Sequence, residues 1–291
     1  MNNDCLVGVD LGSNSLKISL MNAKFEVLKT DEFGIQSAFG LKENLSDTSK
    51  NKIILALEKI SKNYDLKNAL AVATEAFRVA KDSGEFFKLL NDKFGIKFEV
   101  ISPLRECELT KLAVYKRCEM LGINTSNLAI VDLGGASCEI VLDEKFKSFK
   151  FGIIKVFNNF LDLENIEKNS KFMTKKANEF LKNLNPKNIV LNSTISKKLL
   201  NLKQNYKNSK ILEFDDFKKL KKLILNNNTK SHLKNSDGQA MDNQILSETN
   251  LLLCGIYLYE NILKGFDDFI IVDYGLKEGV IIEKILKKEN L

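Results

Sequence analysis

Residues 10–20 read DLGSNSLKISL, and residues 132–142 read DLGGASCEIVL. Six of the eleven positions agree at a constant offset of 122 residues: Asp10 with Asp132, Leu11 with Leu133, Gly12 with Gly134, Ser15 with Ser137, Ile18 with Ile140 and Leu20 with Leu142. In each copy an apolar run ends in Asp-x-Gly, small residues follow, and a second apolar run returns. That is the pattern of a strand, a tight turn and an antiparallel strand. Two copies in one chain predict a duplicated unit that begins with a β-hairpin.

The surroundings of the first copy extend the unit. Cys5–Val9 and Leu16–Leu20 read as strands and Phe25–Lys29 as a third. Ile53–Ile60 has helical spacing. Ala69–Ala73 reads as a strand, Ser83 as the start of a helix running to about Lys93, and Lys97–Ile101 as a further strand. The order is β-β-β-α-β-α-β. Ser102 and Pro103 suit the cap and first turn of the next helix, which carries Leu109, Ala113 and Met120 and stops at Gly122.

The second copy restarts at Leu128–Val131, turns through Gly134–Ser137, and reaches a third strand near Phe146–Phe151. A helix over Thr174–Leu184, a strand over Asn188–Leu191, helices near Phe214–Leu225 and Gln244–Leu263, a strand over Phe269–Val272 and a last helix over Glu278–Lys288 complete the reading. The 291 residues suit two domains at roughly 100–200 residues each. The expected boundaries are 1–122 and 123–291, with a cleft between two α/β lobes and the last helix able to pack on the first domain.

Composition narrows the function without naming it. The net charge of +6 favours anions in general: nucleic acid, phosphate polymers or acidic metabolites. The five cysteines form no C-x-x-C pair, as expected of a reduced cytoplasmic protein. No signal-like segment opens the chain, and the longest apolar run, Leu251–Tyr259, is too short to cross a bilayer, so no membrane partner is expected. His232 is the only histidine, which excludes a histidine-based nucleophile or zinc cluster. Lys218–Lys222 reads either as a solvated helix face or as a path for a polyanion.

The two turns carry the chemistry. Gly12 and Gly134 allow positive φ and close ligand approach, and successive N–H groups in such turns can hold an anion. Ser13, Asn14, Ser15 and Ser137 add donors. Asp10 and Asp132 end their strands beside these donors, an arrangement that suits Mg²⁺ shared between carboxylates and phosphate oxygens. A plain hairpin turn without a ligand would use the same residue types.

These residues resemble the Ppx/GppA family of exopolyphosphatases and guanosine pentaphosphate phosphatases, in the actin-like superfamily. Asp10–Ser15 is similar to that family's first phosphate loop. Ala73–Arg78 is similar to its A-T-x-A-x-R segment, with Glu75 where a small residue is frequent. Ile101, Ser102 and Glu106 resemble I-S-x-x-x-E, Asp132–Glu139 resembles D-x-G-G-G-S-x-E, and Gly275–Gly279 resembles G-L-R-E-G. The resemblance implies two ribonuclease H-like (actin-like ATPase) domains with an interdomain cleft. It implies Glu106 as catalytic base and Glu139 as the second catalytic carboxylate, which also holds metal with Asp10 and Asp132. It places Gly12, Ser13, Asn14, Ser15, Arg78, Gly134, Gly135, Ala136, Ser137 and Lys277 on substrate phosphate, with Lys277 standing for the family's arginine as a point charge.

The implied substrates are polyphosphate or guanosine pentaphosphate, the cofactor Mg²⁺ or another divalent cation. No nucleic-acid partner is expected, and a homodimer is left open. Three positions depart from the family: Asn192-Ser193-Thr194 replaces a G-G-T turn, Gln239-Ala240-Met241-Asp242 lacks an arginine, and Ala136 replaces a glycine. Two other classes stay in view, a kinase-like ATPase of the same superfamily and a non-catalytic alarmone or polyphosphate sensor.

Overall fold

The computed structural model describes residues 5–38, 41–160, 162–204, 211–232 and 248–289. The segment 239–242 and the start of the helix expected from Gln244 lie outside the described residues. The chain is mixed α/β with two sheets and divides into two compact units. One comprises Met1–Asn124, Gly134–Ala136 and Tyr274–Leu291; the other comprises Thr125–Leu133 and Ser137–Asp273.

The first unit contains β1 (Cys5–Leu11), β2 (Ser15–Asn22), β3 (Val27–Gly34), α1 (Asp47–Ile60), β4 (Leu70–Ala73), α2 (Glu75–Val79), α3 (Ser83–Phe94), β5 (Phe98–Val100) and α4 (Pro103–Met120). Its sheet runs β3-β2-β1-β4-β5, antiparallel through the hairpins and parallel from β1 outward. The second unit contains β6 (Leu128–Leu133), β7 (Cys138–Leu142), β8 (Lys145–Phe149), α5 (Ile153–Phe160), α6 (Leu163–Leu184), β9 (Asn188–Leu191), α7 (Thr194–Gln204), β10 (Ile211–Glu213), α8 (Phe214–His232), α9 (Glu248–Ile262) and β11 (Asp268–Ile271). Its sheet runs β8-β7-β6-β9-β11-β10.

The duplication is written in the strand register. Leu11 pairs with Leu16, Asp10 with Lys17 and Val9 with Ile18. In the second sheet Leu133 pairs with Cys138, Asp132 with Glu139 and Val131 with Ile140. Every partner is shifted by the same 122 positions. The β8-β7-β6-β9-β11 part of the second sheet repeats the whole order of the first.

Several elements differ from the sequence reading for local reasons. α1 starts at Asp47 because Ser46 caps it, accepting from the Ser49 amide. α6 starts at Leu163, capped by Asp162, and its early turns bury Ile166, Ser170 and Thr174. Two of those three are polar, so apolar periodicity is weak there. α2 and α5 are short, with five and eight residues, and so carry little period. α4 begins and ends as its caps require: Ser102 accepts from the Arg105 amide, Pro103 opens the first turn, and Gly122 takes φ 68° after it.

The C-terminal helix α10 (Leu276–Glu289) belongs to the first unit. Its Leu276, Val280, Ile281, Ile282 and Ile285 pack with Met21, Val72, Leu109 and Ala113. Two glycines permit this contact. A Cβ on Gly8 would stand 2.0 Å from the Lys277 carbonyl oxygen, and one on Gly279 would stand 2.1 Å from that of Leu109. Both obstacles are backbone. Gly84 in α3 has nothing within 4 Å of the same construction. Gly279→Ala is therefore expected to lose about 3 kcal/mol or more in urea unfolding. Gly84→Ala is expected to gain up to about 1 kcal/mol. Equal effects would contradict the close docking of α10.

Candidate active site

The first turn is pinned by its carbonyls. The Gly12 amide donates to the Ser15 carbonyl at 2.9 Å. The Asn14 carbonyl accepts from the amides of Ile35 and Gln36, both at 2.8 Å, and that of Ser13 accepts from the Ala38 amide at 3.0 Å. Residues 35–38 thus brace the turn from one side. Ser13 and Ser15 are buried. The backbone N–H groups of Ser13 and Asn14 meet no protein acceptor among the described residues.

The tip of the second turn, Gly134–Ala136, clusters with the first unit. A Cβ on Gly135 would lie 3.2 Å from the Asn14 Cβ, the Asn14 amide nitrogen and the Ser13 Cβ. The two Asp-Leu-Gly turns therefore touch at their tips. The glycines serve here by their size. Among the described residues, the glycines with positive φ are Gly95, Gly122 and Gly265, so the positive φ expected of Gly12 and Gly134 is corrected. Ala136, in place of a third glycine, is buried, and Ser137, which follows it, is buried too.

The two hairpins differ in charge at one matched position. Asp10 faces Lys17 across β1 and β2. Burial pushes the Asp10 carboxyl above the usual carboxylate range, and Lys17 and Lys277 oppose that shift. At the equivalent place in β6 and β7, Asp132 faces Glu139. Side chains directly opposite in an antiparallel pair share a face, with Cβ atoms about 4.5–5.5 Å apart. Glu139 is buried and accepts from the Ser148 hydroxyl at 2.7 Å. Like charges in this position repel unless a cation joins them. Among the described residues, no group of three or more His, Cys, Asp or Glu is placed to hold a metal ion.

Glu106 lies in the first turn of α4, and its amide donates to the Ser102 carbonyl at 2.9 Å. Its carboxylate accepts from Arg78 Nη1 at 3.0 Å. The same Nη1 donates to the Ile101 carbonyl at 2.6 Å. Nε and Nη2 of Arg78 donate to Glu75 at 3.1 and 2.9 Å. Arg78, which the resemblance places on phosphate, has four of its five N–H groups on protein acceptors. Glu75, marked in the sequence only as a departure from the family segment, is the acid that holds Arg78. Its signal was the three-residue spacing to Arg78 on one helix face.

Lys277 is buried, and its Nζ lies 2.6 Å from Glu278. Glu278 also accepts from the Gly275 amide at 2.8 Å and from the Ser19 hydroxyl, so it caps α10 and ties it to β2. Lys277 is thus held at this helix start, its charge acting on Asp10. Cys138 is fully buried between acidic neighbours, and burial holds its thiol far above its ordinary range, unlike a nucleophile. In the second unit the Asn192-Ser193-Thr194 turn is filled by side chains. The Ser193 hydroxyl meets the Tyr259 hydroxyl at 2.8 Å, and the Ser193 amide donates to Ser196 Oγ at 3.2 Å. Within Lys218–Lys222, Lys221 pairs with Glu260 at 2.9 Å. No helix among the described residues is long and apolar enough to cross a membrane.

Comparison with known proteins gives these features a lineage. Guanosine-5'-triphosphate,3'-diphosphate pyrophosphatase of Vibrio parahaemolyticus is 25% identical over 173 residues, which cover 52% of this chain and 32% of that protein. The Aliivibrio fischeri protein of the same name is 26% identical over 149 residues, covering 48% and 29%. The chain thus spans about a third of the length of the curated relatives it matches. An exopolyphosphatase structure from Cytophaga hutchinsonii superposes with a TM-score of 0.80 at 17% identity, covering 97% of this chain and 98% of that one. An Aquifex aeolicus Ppx/GppA family member gives 0.71 at 22% identity, covering 98% of each. These superpositions establish the fold. The model of the Ppx/GppA phosphatase family matches residues 35–288, from the strand end beside the first turn to the last turn of α10, and the chain belongs to that family.

Proposed function

We propose that this chain hydrolyses the terminal phosphoanhydride bond of a polyanion, inorganic polyphosphate or guanosine pentaphosphate, with Glu106 as general base. The observation that carries the reading is the contact of the two turns. Gly135 lies against Ser13 and Asn14, and small turns of this kind, rich in backbone N–H groups, are suited to a chain of phosphates. Neutralised charge, a held water and an in-line approach are what the reaction requires.

Each residue then has a definite task. The amides of the two turns, with Ser13, Asn14, Ser15 and Ser137, bind phosphate oxygens. Asp132 and Glu139 suit a divalent cation, because Mg²⁺ binds through one or two carboxylates and completes its shell with phosphate and water oxygens. When bound, that ion would neutralise charge on the phosphates. Asp10 serves as a third acidic group beside the first turn. Glu106 accepts a proton from the attacking water as its oxygen bonds to the terminal phosphorus. The bond to the bridging oxygen breaks, and the shortened polyanion leaves with that electron pair. Arg78 keeps the Glu106 carboxylate in place.

A kinase of this fold would need an adenine pocket in the second unit. Ser193 and Tyr259 bring side chains together at the turn where the family carries glycines, which favours a substrate gripped by its phosphates alone.

Phosphate release from both polyanions with Mg²⁺ tests the reading. Glu106→Gln is expected to lower kcat by about 10²–10⁴-fold with unchanged unfolding, and a chelator should abolish turnover in the wild type. Activity within a few-fold of wild type would remove Glu106 from its role. Tight binding of guanosine pentaphosphate by wild-type chain without turnover would instead mark a sensor. Gly135→Ala is expected to weaken tripolyphosphate binding about tenfold while shifting unfolding by less than about 1 kcal/mol, since the added methyl displaces Ser13 and Asn14 by a few tenths of an ångström. Unaltered binding would separate the turn contact from the site.

A further inference from the structure

We infer that Glu75 is a positioning residue that aims Arg78 at Glu106 and withholds it from the substrate. The chain has three arginines among its 44 basic residues. In a composition so dominated by lysine, the arginines stand where the planar guanidinium is used. Arg105 bridges Glu108 and Glu283, and Arg117 lies over the Tyr274 ring at 4.8 Å. Arg78 uses its full fork. Glu75 Oε2 receives both Nε and Nη2, one edge of the guanidinium, and the Ile101 carbonyl receives Nη1. With those three bonds made, the plane of the group is fixed, and the remaining Nη1 hydrogen points at Glu106 Oε2. A lysine could not do this, because a point charge has no edge to hold.

The charges decide what this arrangement does. Arg78, Glu75 and Glu106 sum to a formal charge of −1, and all three side chains are at least four-fifths buried. The one guanidinium is therefore shared between two carboxylates. Its work is to keep the Glu106 carboxylate oriented by a charge-assisted bond, which is stronger than a neutral one. Without Glu75, the flexible arginine would be shared between Glu106 and any phosphate that entered. The kinetic consequence rests on the proposed hydrolase reading, whereas the geometric one does not.

The experiment therefore has two arms. In ¹⁵N spectra of the wild-type chain, the guanidinium signals of three arginines can be assigned by substitution. Arg78 is expected to show slow rotation about its Cζ–Nη bonds, and Glu75→Gln should release it while Arg105 and Arg117 stay unchanged, which also reports an intact fold. With tripolyphosphate as substrate, Glu75→Gln is expected to lower kcat about tenfold while KM falls or holds, and to have no further effect in an Arg78→Ala background. Arg78 signals in Glu75→Gln that match wild type would overturn the inference, whatever the activity. So would an equal loss of kcat in the Arg78→Ala background, or a raised KM with kcat intact. Absence of hydrolysis by wild type would defeat the hydrolase reading alone, and the spectra would still decide the role of Glu75.

Discussion

A hairpin with one wholly buried apolar face can be built in only one register. Val9 and Leu11 in β1 and Leu16 and Ile18 in β2 are fully buried, as are Val131, Leu133, Cys138 and Ile140 in the second copy or nearly so. A slip of one residue would turn each of these side chains to the opposite face. Burial therefore sets which residue stands at the end of each central strand. In both units the strand closes on Asp-Leu, with the aspartate last but one, followed by Gly and a turn. Everything the site does depends on this register, because it delivers two small, donor-rich turns and an acidic side chain beside each.

Within the common frame, the copies have divided their labour by charge. Lys17 stands opposite Asp10, and its charge opposes the upward shift that burial imposes on that carboxyl. At the matched place in the second hairpin, Glu139 stands opposite Asp132, so the lysine of the first copy is replaced by a second acid. The two hairpins thus share a register and differ in charge at one matched pair of positions. The second unit departs further where Ser193 and Tyr259 lock the turn after β9. Tyr259 is wholly buried, stacked on Phe217 at 5.8 Å between ring centres, so that turn is set by the core beneath it.

The fold was legible where pattern and punctuation agreed. The Asp-Leu-Gly repeat disclosed the duplication, and Ser102, Pro103 and Gly122 marked α4 at both ends. It was illegible where elements are shorter than their own period, as in α2 and β10, or where the buried face is polar, as at Ser170 and Thr174 in α6. In the site, residue types named the acidic groups and the turns. They did not show that Gly135 serves by closeness, because close approach is a property of two segments distant in sequence. Nor did they show that Glu75 holds Arg78 while Glu278 holds Lys277. A motif names a cation; only the neighbouring acids reveal whether it is committed.

Both turns are proposed to bind one run of phosphates. Amide titration of the Glu106→Gln variant with tripolyphosphate and Mg²⁺ tests it most directly, since binding can then be followed without turnover. The expected result is that the amides of Gly12–Ser15 and of Gly134–Ala136 shift together along one isotherm with a single Kd. Movement of one turn alone, or of the two with separate affinities, would contradict it.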